Sequence, residues 1–325
     1  MKIVVTGSLG NISKPLVIEL IKLGHEVTVI SRFFERKTEI ETLGAIPAVG
    51  KIEDVTFLTK TFAGNDAVYC MLPPFKFFED PKLDYKKEAL HIANNYAQAI
   101  QQTGIKKVVH LSSVGAEKER GTGLLVFHNI VENVFKKMPA DIAITHIRPV
   151  SFDYNLSAFM EMIQGKGFLA GFIGKIIYLQ HYGIKGLLKG YKGIILSNYG
   201  AVDVVPWVSP IDIALVSADE LTSNRTGRKI RYVANEELTC QEVATIIGKA
   251  IGKPYLKWAL ISNKQMTNAI KQMGASESIA NDLTEMNLTM HDGSLFDDYY
   301  KNKPTTFGKV KMKDFAKEFA SKYKV

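Results

Sequence analysis

The feature that most constrains this chain is its first thirteen residues. Lys2-Ile-Val-Val-Thr6 is a short apolar run that ends on Gly7-Ser-Leu-Gly10-Asn11, and Ile12–Leu23 then repeats apolar residues at helical spacing. A buried strand that turns on glycine straight into a helix creates a particular surface. Gly7 makes the tight turn, Gly10 has no side chain to hold backbone away from a ligand, and small Ser13 lets helix and strand approach. The helix start offers free N–H groups and the positive end of its dipole. That combination suits a diphosphate, and the residues placed around it are Gly7, Ser8, Leu9, Gly10, Asn11 and Ile12.

The rest of the first 150 residues keeps the same alternation. Ile3–Thr6, Val27–Ser31, Ala67–Met71, Val108–Ser112 and Ala143–Arg148 read as buried parallel strands, with a further strand ending before Gly50. Helical patterns separate them at Lys37–Leu43, Val55–Phe62, Lys86–Thr103 and Leu124–Lys137. Strands alternating with helices predict an α/β fold, a doubly wound parallel sheet of the Rossmann type. A chain of 325 residues exceeds what a single core usually supports, about 250–300. We therefore expect a dinucleotide-binding domain over 1–155 and a smaller, mainly helical substrate region over 156–325. Strands near 202–207 and 229–233 are expected to return to the main domain. Thr239 with Glu242 predicts a capping box opening a helix over Thr239–Ile251, and 262–298 reads as helical.

The second strand speaks to the nucleotide. It ends on Ile30-Ser31-Arg32, with no acid to bond a ribose 2′-hydroxyl. Ser31 and Arg32 suit a 2′-phosphate, with Arg36 and Lys37 close by in sequence, so NADP(H) is expected over NAD(H). Ligands of such sheets lie at the carboxyl ends of the strands. This adds Met71 and Leu72 after the fourth strand, Ser112 after the fifth, and Pro149 and Phe152 after the sixth. Tyr154, Phe159 and Tyr199 are candidate aromatics for a substrate pocket.

Charge excludes some classes. The net charge is +8, but residues 301–325 carry eight lysines against Asp314 and Glu318, which is six of the eight positive charges. The basic character belongs to the tail and not to a nucleic-acid face. Phe315, Phe319 and Tyr323 recur every four residues there and predict a helix docked by its aromatics. Cys70 and Cys240 lie in no metal-ligand spacing, so no metal is expected. Phe168–Leu188 is apolar but interrupted by Lys175, His181 and Lys185, which argues against a membrane span. A lid or a contact between copies through 165–200 suits it better. The chain enters a strand pattern with no charged and apolar leader pattern, so no signal peptide and a cytoplasmic location are expected.

These residues resemble the NmrA-like group of atypical short-chain dehydrogenases/reductases. The resemblance rests on Thr6-Gly-Ser-Leu-Gly10-Asn11, Ser31-Arg32, Phe62-Ala-Gly64-Asn-Asp66-Ala-Val and Val109-His-Leu-Ser112-Ser-Val114. It continues through His128-x-x-x-Glu132, Ile147-Arg-Pro149 with Asn155, Val208-Ser-Pro-Ile-Asp212-Ile-Ala214, Thr239-x-x-Glu242-Val-Ala and Pro304-Thr-Thr-Phe307. It covers nearly the whole chain and is specific for no substrate. It implies NAD(P) in a Rossmann domain and a C-terminal domain closing a cleft over the nicotinamide. It implies either a reductase of quinones or similar carbonyls acting on a small molecule, or a regulator that senses the dinucleotide and docks on a partner protein.

Two departures stand out against that resemblance. Active short-chain dehydrogenases usually carry Tyr-x-x-x-Lys on the helix before Arg148-Pro149, where the tyrosine moves the substrate proton. Here His128 holds the lysine place and Leu124 the tyrosine place, which makes His128 the candidate catalytic or ribose-binding residue. Gly50 is followed by Lys51 where an aspartate near adenine is usual, leaving the Ile52 backbone to read the base.

Overall fold

The computed structural model describes residues 1–80, 82–166, 172–189, 191 and 193–323. Its first half is a strict alternation of β1 (Lys2–Val5), α1 (Ser13–Lys22), β2 (Glu26–Ser31), α2 (Lys37–Thr42), β3 (Ile46–Val49), α3 (Val55–Phe62), β4 (Ala67–Cys70), α4 (Tyr85–Thr103), β5 (Lys107–Leu111), α5 (Val126–Lys136) and β6 (Ala143–Pro149). After them come β7 (Ser151–Phe152), α6 (Met160–Ile163), α7 (Phe172–Leu188), β8 (Ile195–Ser197), β9 (Val204–Val208), α8 (Pro210–Thr222), β10 (Arg228–Val233) and β11 (Glu236–Thr239). The chain closes with α9 (Cys240–Ala250), β12 (Trp258–Leu260), α10 (Asn263–Gln272), α11 (Glu277–His291), α12 (Asp297–Lys301) and α13 (Met312–Tyr323).

Seven strands form one parallel sheet in the order β10-β6-β5-β4-β1-β2-β3. The winding reverses between β1 and β4, which opens a crevice at their carboxyl ends. Alternation along the strands splits the core in two. Ile3, Val5, Tyr69 and Val109 face α1 and α8, while Val4, Val68 and Val108 face α3, α4 and α5. β3 is the faint member of the series, an exposed edge with Pro47 in it, where a missing N–H is tolerated.

Beyond residue 155 the expected strand over 229–233 joins the main sheet, as β10 beside β6. The one over 202–207 does not pair with that sheet. As β9 it lies between β7 and β11 in a second sheet, and its inward residues Val205, Trp207 and Val208 still share the core packed on α1 and α8. A third core holds the distal lobe, where Ile194 and Leu196 pack with Ala259, Ile270 and Ile279. α9 opens on the Thr239–Glu242 capping box, and α13 docks through buried Phe315 and Phe319. Among the described residues no helix is long and apolar enough to cross a membrane, and residues 167–171 of the apolar stretch lie outside them.

Candidate functional site

The glycine turn is built by crowding. Gly7 has φ +88°, and a Cβ there would sit 2.3 Å from Met71 Sδ and 2.7 Å from Ser13 Oγ. Ser13 earns its place by donating to the Thr6 carbonyl at 3.0 Å, while the Met71 amide donates to Thr6 Oγ1 at 3.0 Å. β1, α1 and the end of β4 are thereby tied at one point. Gly10 differs: a Cβ there meets only the Gly7 carbonyl, at 3.3 Å. The fold crowds position 10 from one atom alone, and the bare backbone of this exposed glycine is open to a close-approaching group. α1 has no side-chain N-cap, its Ncap being Ile12, and among the described residues the amides of Leu9, Asn11 and Ile12 meet no acceptor. Leu9 and Ile12 bury their side chains in the core and offer only backbone; Gly10 and Asn11 are exposed. A pocket of unpartnered N–H groups at a helix start fits a dinucleotide diphosphate.

The ends of β2 and β3 meet this turn. Ser8, at φ +54°, donates its amide to the Ile30 carbonyl and its hydroxyl to Ser31 Oγ at 3.0 Å. Arg32 is exposed, but it is not free: Nη2 donates to Glu53 Oε1 at 2.8 Å. Arg36 is likewise held, by Glu39 at 2.7 Å. Ile52 buries its side chain, and its carbonyl lies 3.4 Å from Asn95 Nδ2, so its N–H is what remains for a base. Met71 and Leu72 follow β4 along the crevice, with Tyr96 donating to the Met71 carbonyl at 2.8 Å.

Ser112 and His128 stand differently from the rest. Ser112 is buried, and its hydroxyl donates to Glu132 Oε1 at 2.6 Å. His128 is half-buried against the Phe127 ring, and its Nδ1 is buried without a protein partner. Burial pushes its imidazole down to about 3; Glu132 opposes the shift and Arg148 adds to it. The ring is therefore neutral near pH 7 and acts only as a neutral N–H donor or an acceptor. Leu124, in the place of the usual tyrosine, is buried.

Beyond Pro149 the strand ends open into a cavity of about 190 Å³. Val114, Phe152, Tyr199, Trp207 and Met290 give it flat apolar walls, and Ser113, Asn155 and Asn287 supply polar points. Phe152 stacks on Tyr154 at 5.3 Å, and Phe159 also lines the space. The Trp207 indole N–H is buried with no acceptor. Trp207, Met286, Met290 and Asn287 were not foreseen from the sequence. They arrive from β9 and α11, and no spacing motif links them to the strand ends. Glu53 was missed for the same reason.

A reversed parallel sheet with an anion-attracting glycine turn and a strand-end cleft defines a dinucleotide-fold protein. The sequence profile of the NmrA-like family matches residues 1–310, and the chain belongs to that family. It is 22% identical over 285 residues to an NAD(P)H azoreductase of Xenophilus azovorans, covering 87% of this chain and 85% of the relative. Among solved structures it is similar to the triphenylmethane reductase of Citrobacter sp., at 18% identity and a TM-score of 0.72, covering 99% of this chain and 100% of that one. It is also similar to an NADPH-dependent quinone oxidoreductase of Escherichia coli complexed with NADPH. There the identity is 17%, the TM-score 0.73, and the coverage 97% and 99%.

Proposed function

We propose that this chain is an NADP(H)-dependent reductase of a quinone or a similar conjugated carbonyl. The observation that carries the reading is one of position. A glycine turn with unpartnered amides lies on the same strand-end crest as an apolar, flat-walled cavity of about 190 Å³. When bound, the dinucleotide supplies the hydride. The chain's part is placement: Gly7–Ile12 hold the diphosphate, Arg32 takes a 2′-phosphate and favours NADP(H), and Met71, Leu72, Pro149 and Phe152 flank the nicotinamide. Ser31, expected beside Arg32 at the phosphate, is buried and donates its hydroxyl to the Phe33 carbonyl at 3.2 Å, so it shapes the strand end instead. The apolar walls hold the acceptor and exclude water, so positioning supplies most of the acceleration. A quinone suits a site without the usual tyrosine, because the reduced product can take its proton from water once it has left the cavity. The named relatives support this reading, since azo compounds, triphenylmethane dyes and quinones are all extended conjugated systems.

A second reading is a dinucleotide-sensing regulator that docks on a partner protein. Buried Leu124 in the tyrosine place and a half-buried, neutral His128 favour it. Purified protein titrated with NADPH and NADH by fluorescence, then mixed with a quinone panel while NADPH absorbance is followed, separates the two. Oxidation of NADPH that depends on both protein and quinone is the reductase outcome; tight binding without oxidation leaves the regulator. Contact between copies through 165–200, where Leu179, Ile184 and Leu188 are exposed, is a further proposal that light scattering checks.

A further inference from the structure

We infer that Glu53 is a placeholder for the adenosine 2′-phosphate and the residue that limits the preference for NADP(H) over NAD(H). The inference rests on the cofactor reading above and adds a residue to it. Dinucleotide folds choose between the two nucleotides at the end of the second strand, with an acid for a free ribose hydroxyl or an arginine for a phosphate. This chain holds both charges at that point, but takes them from different strands. Arg32 follows β2. Glu53 follows β3, whose end is tied to β2 by the Gly50 amide donating to the Ser31 carbonyl at 3.0 Å.

The two side chains form a pair at 2.8 Å, Arg32 Nη2 to Glu53 Oε1. Glu53 is fixed from behind: Asn95 on α4 donates to its carbonyl at 2.8 Å. Its second oxygen, Oε2, is buried and has no donor among the described residues. That combination acts on the two nucleotides in opposite directions. A ribose 2′-hydroxyl is a donor, and the Glu53 oxygen that holds Arg32 accepts more than one hydrogen bond, so NAD(H) leaves the Arg32–Glu53 pair intact. A 2′-phosphate brings a further negative charge to the same guanidinium. It has to displace Glu53 from Arg32 and then remain near the displaced carboxylate, which costs affinity by like-charge repulsion. Arg32 still favours NADP(H), but by a smaller margin than an unpaired arginine would.

The test is the dissociation constant of NADPH and NADH for the native protein, Glu53→Gln, Arg32→Ala and the double variant, by fluorescence titration of the full chain. Glu53→Gln keeps the shape and removes the charge. It is expected to tighten NADPH about five- to ten-fold, the upper end for a partly exposed ion pair together with the relieved repulsion. NADH is expected to stay level or weaken slightly. In the Arg32→Ala background the same change is expected to tighten NADPH by less than in the native background, because only the like-charge repulsion is left to relieve and no arginine is freed. A Glu53→Gln protein that binds both nucleotides with an unchanged ratio, or binds NADPH more weakly, overturns the inference. If Glu53→Gln does not fold, Glu53→Asp is read instead: its shorter arm loosens the pair, and an unchanged ratio there is equally fatal. Native protein that binds neither nucleotide overturns the cofactor reading itself. Native protein that binds both, with the ratio unmoved in the variants, overturns the role of Glu53 alone.

Discussion

Arg148 grips Glu132 with two nitrogens on one edge of its guanidinium, Nε donating to Oε1 at 3.0 Å and Nη2 to Oε2 at 2.7 Å. Burial works against ionising Glu132, yet this fork holds its carboxyl below the usual range. The same guanidinium reaches Glu117 at 3.2 Å and Asp298 at 3.1 Å through Nη1, and Tyr232 at 3.1 Å. One cation thus joins β6, α5, the loop after β5, β10 and α12. The family pattern Ile147-Arg148-Pro149 marks the place, and the structure gives the reason for an arginine there.

Arg148→Met is expected to destabilise the protein by about 3–5 kcal/mol, the usual result of stranding buried charge. Three carboxylates are left facing one another, so the loss is expected to be larger at pH 8 than at pH 5, where protonation relieves them. Urea unfolding at the two pH values checks this. Arg148→Lys keeps the charge without the fork and is expected to recover only part of the loss.

Gly7→Ala and Gly10→Ala should separate folding from binding. At Gly7 the added methyl meets Met71 and Ser13 at 2.3 and 2.7 Å in a positive-φ backbone, and a loss of about 2–4 kcal/mol is expected. At Gly10 the methyl meets only a carbonyl at 3.3 Å, so stability should stay within about 1 kcal/mol. Dinucleotide affinity should nevertheless fall at least about ten-fold, because the methyl stands where the diphosphate approaches. Thermal melts and nucleotide titrations of the two proteins check the pair. A Gly10→Ala protein with native affinity would move the diphosphate elsewhere.

Gly123 marks where the distal lobe meets the dinucleotide domain. It has φ +53°, a Cβ there would lie 1.9 Å from the Asp282 carbonyl, and its amide donates to Glu285 Oε2 at 3.1 Å. Both partners sit on α11, the helix that brings Met286 and Met290 to the cavity. Gly123→Ala is therefore expected to lift α11 off this loop. It should weaken acceptor binding and raise KM several-fold while leaving NADPH affinity near native. Equal losses for nucleotide and acceptor would instead indicate general unfolding.

What was readable in the sequence follows from what is local. The alternation of β1 through β6 is legible because each strand and helix carries its own period. The turn at Gly7 is legible because its backbone geometry demands glycine. Arg32 is legible by position, but its partner Glu53 comes from another strand end, 21 residues on, and no periodicity couples them. Val202–Trp207 reads as a strand, and β9 is found at Val204–Val208, yet its pairing is not legible, because its neighbour β7 is only two residues long and has no pattern of its own. Trp207 and the α11 methionines reach the cavity through chain crossings that are set by tertiary packing. Ser112 looked like a cleft hydroxyl; its bond to Glu132 is visible only once β5 and α5 are placed side by side.

The last prediction concerns two desolvated groups whose protonation pulls stability in opposite directions. Burial raises the Asp153 carboxyl to about 7, with the Tyr154 amide opposing and Glu318, Asp212 and Glu236 adding to the shift. The folded state then holds a proton that the unfolded chain releases near 3.8, so stability falls as pH rises between those values, by at most about 4 kcal/mol. His128 runs the other way. Its folded value lies near 3 against 6.5 unfolded, so its contribution is complete above pH 6.5 and is lost as pH falls toward 3. His110, buried, and His146, half-buried, have Nδ1 atoms 3.0 Å apart; both are lowered by desolvation as well and add to the acid-side loss. Asp153→Asn is therefore expected to melt higher than native protein at pH 8 and to gain nothing at pH 3.5, where both states of Asp153 are largely protonated. His128→Gln is expected to flatten the decline between pH 6.5 and 4. Melting curves across that range, read for each variant against native protein, check both signs; an Asp153→Asn protein with no gain at pH 8 would show the carboxyl to be ionised in the fold.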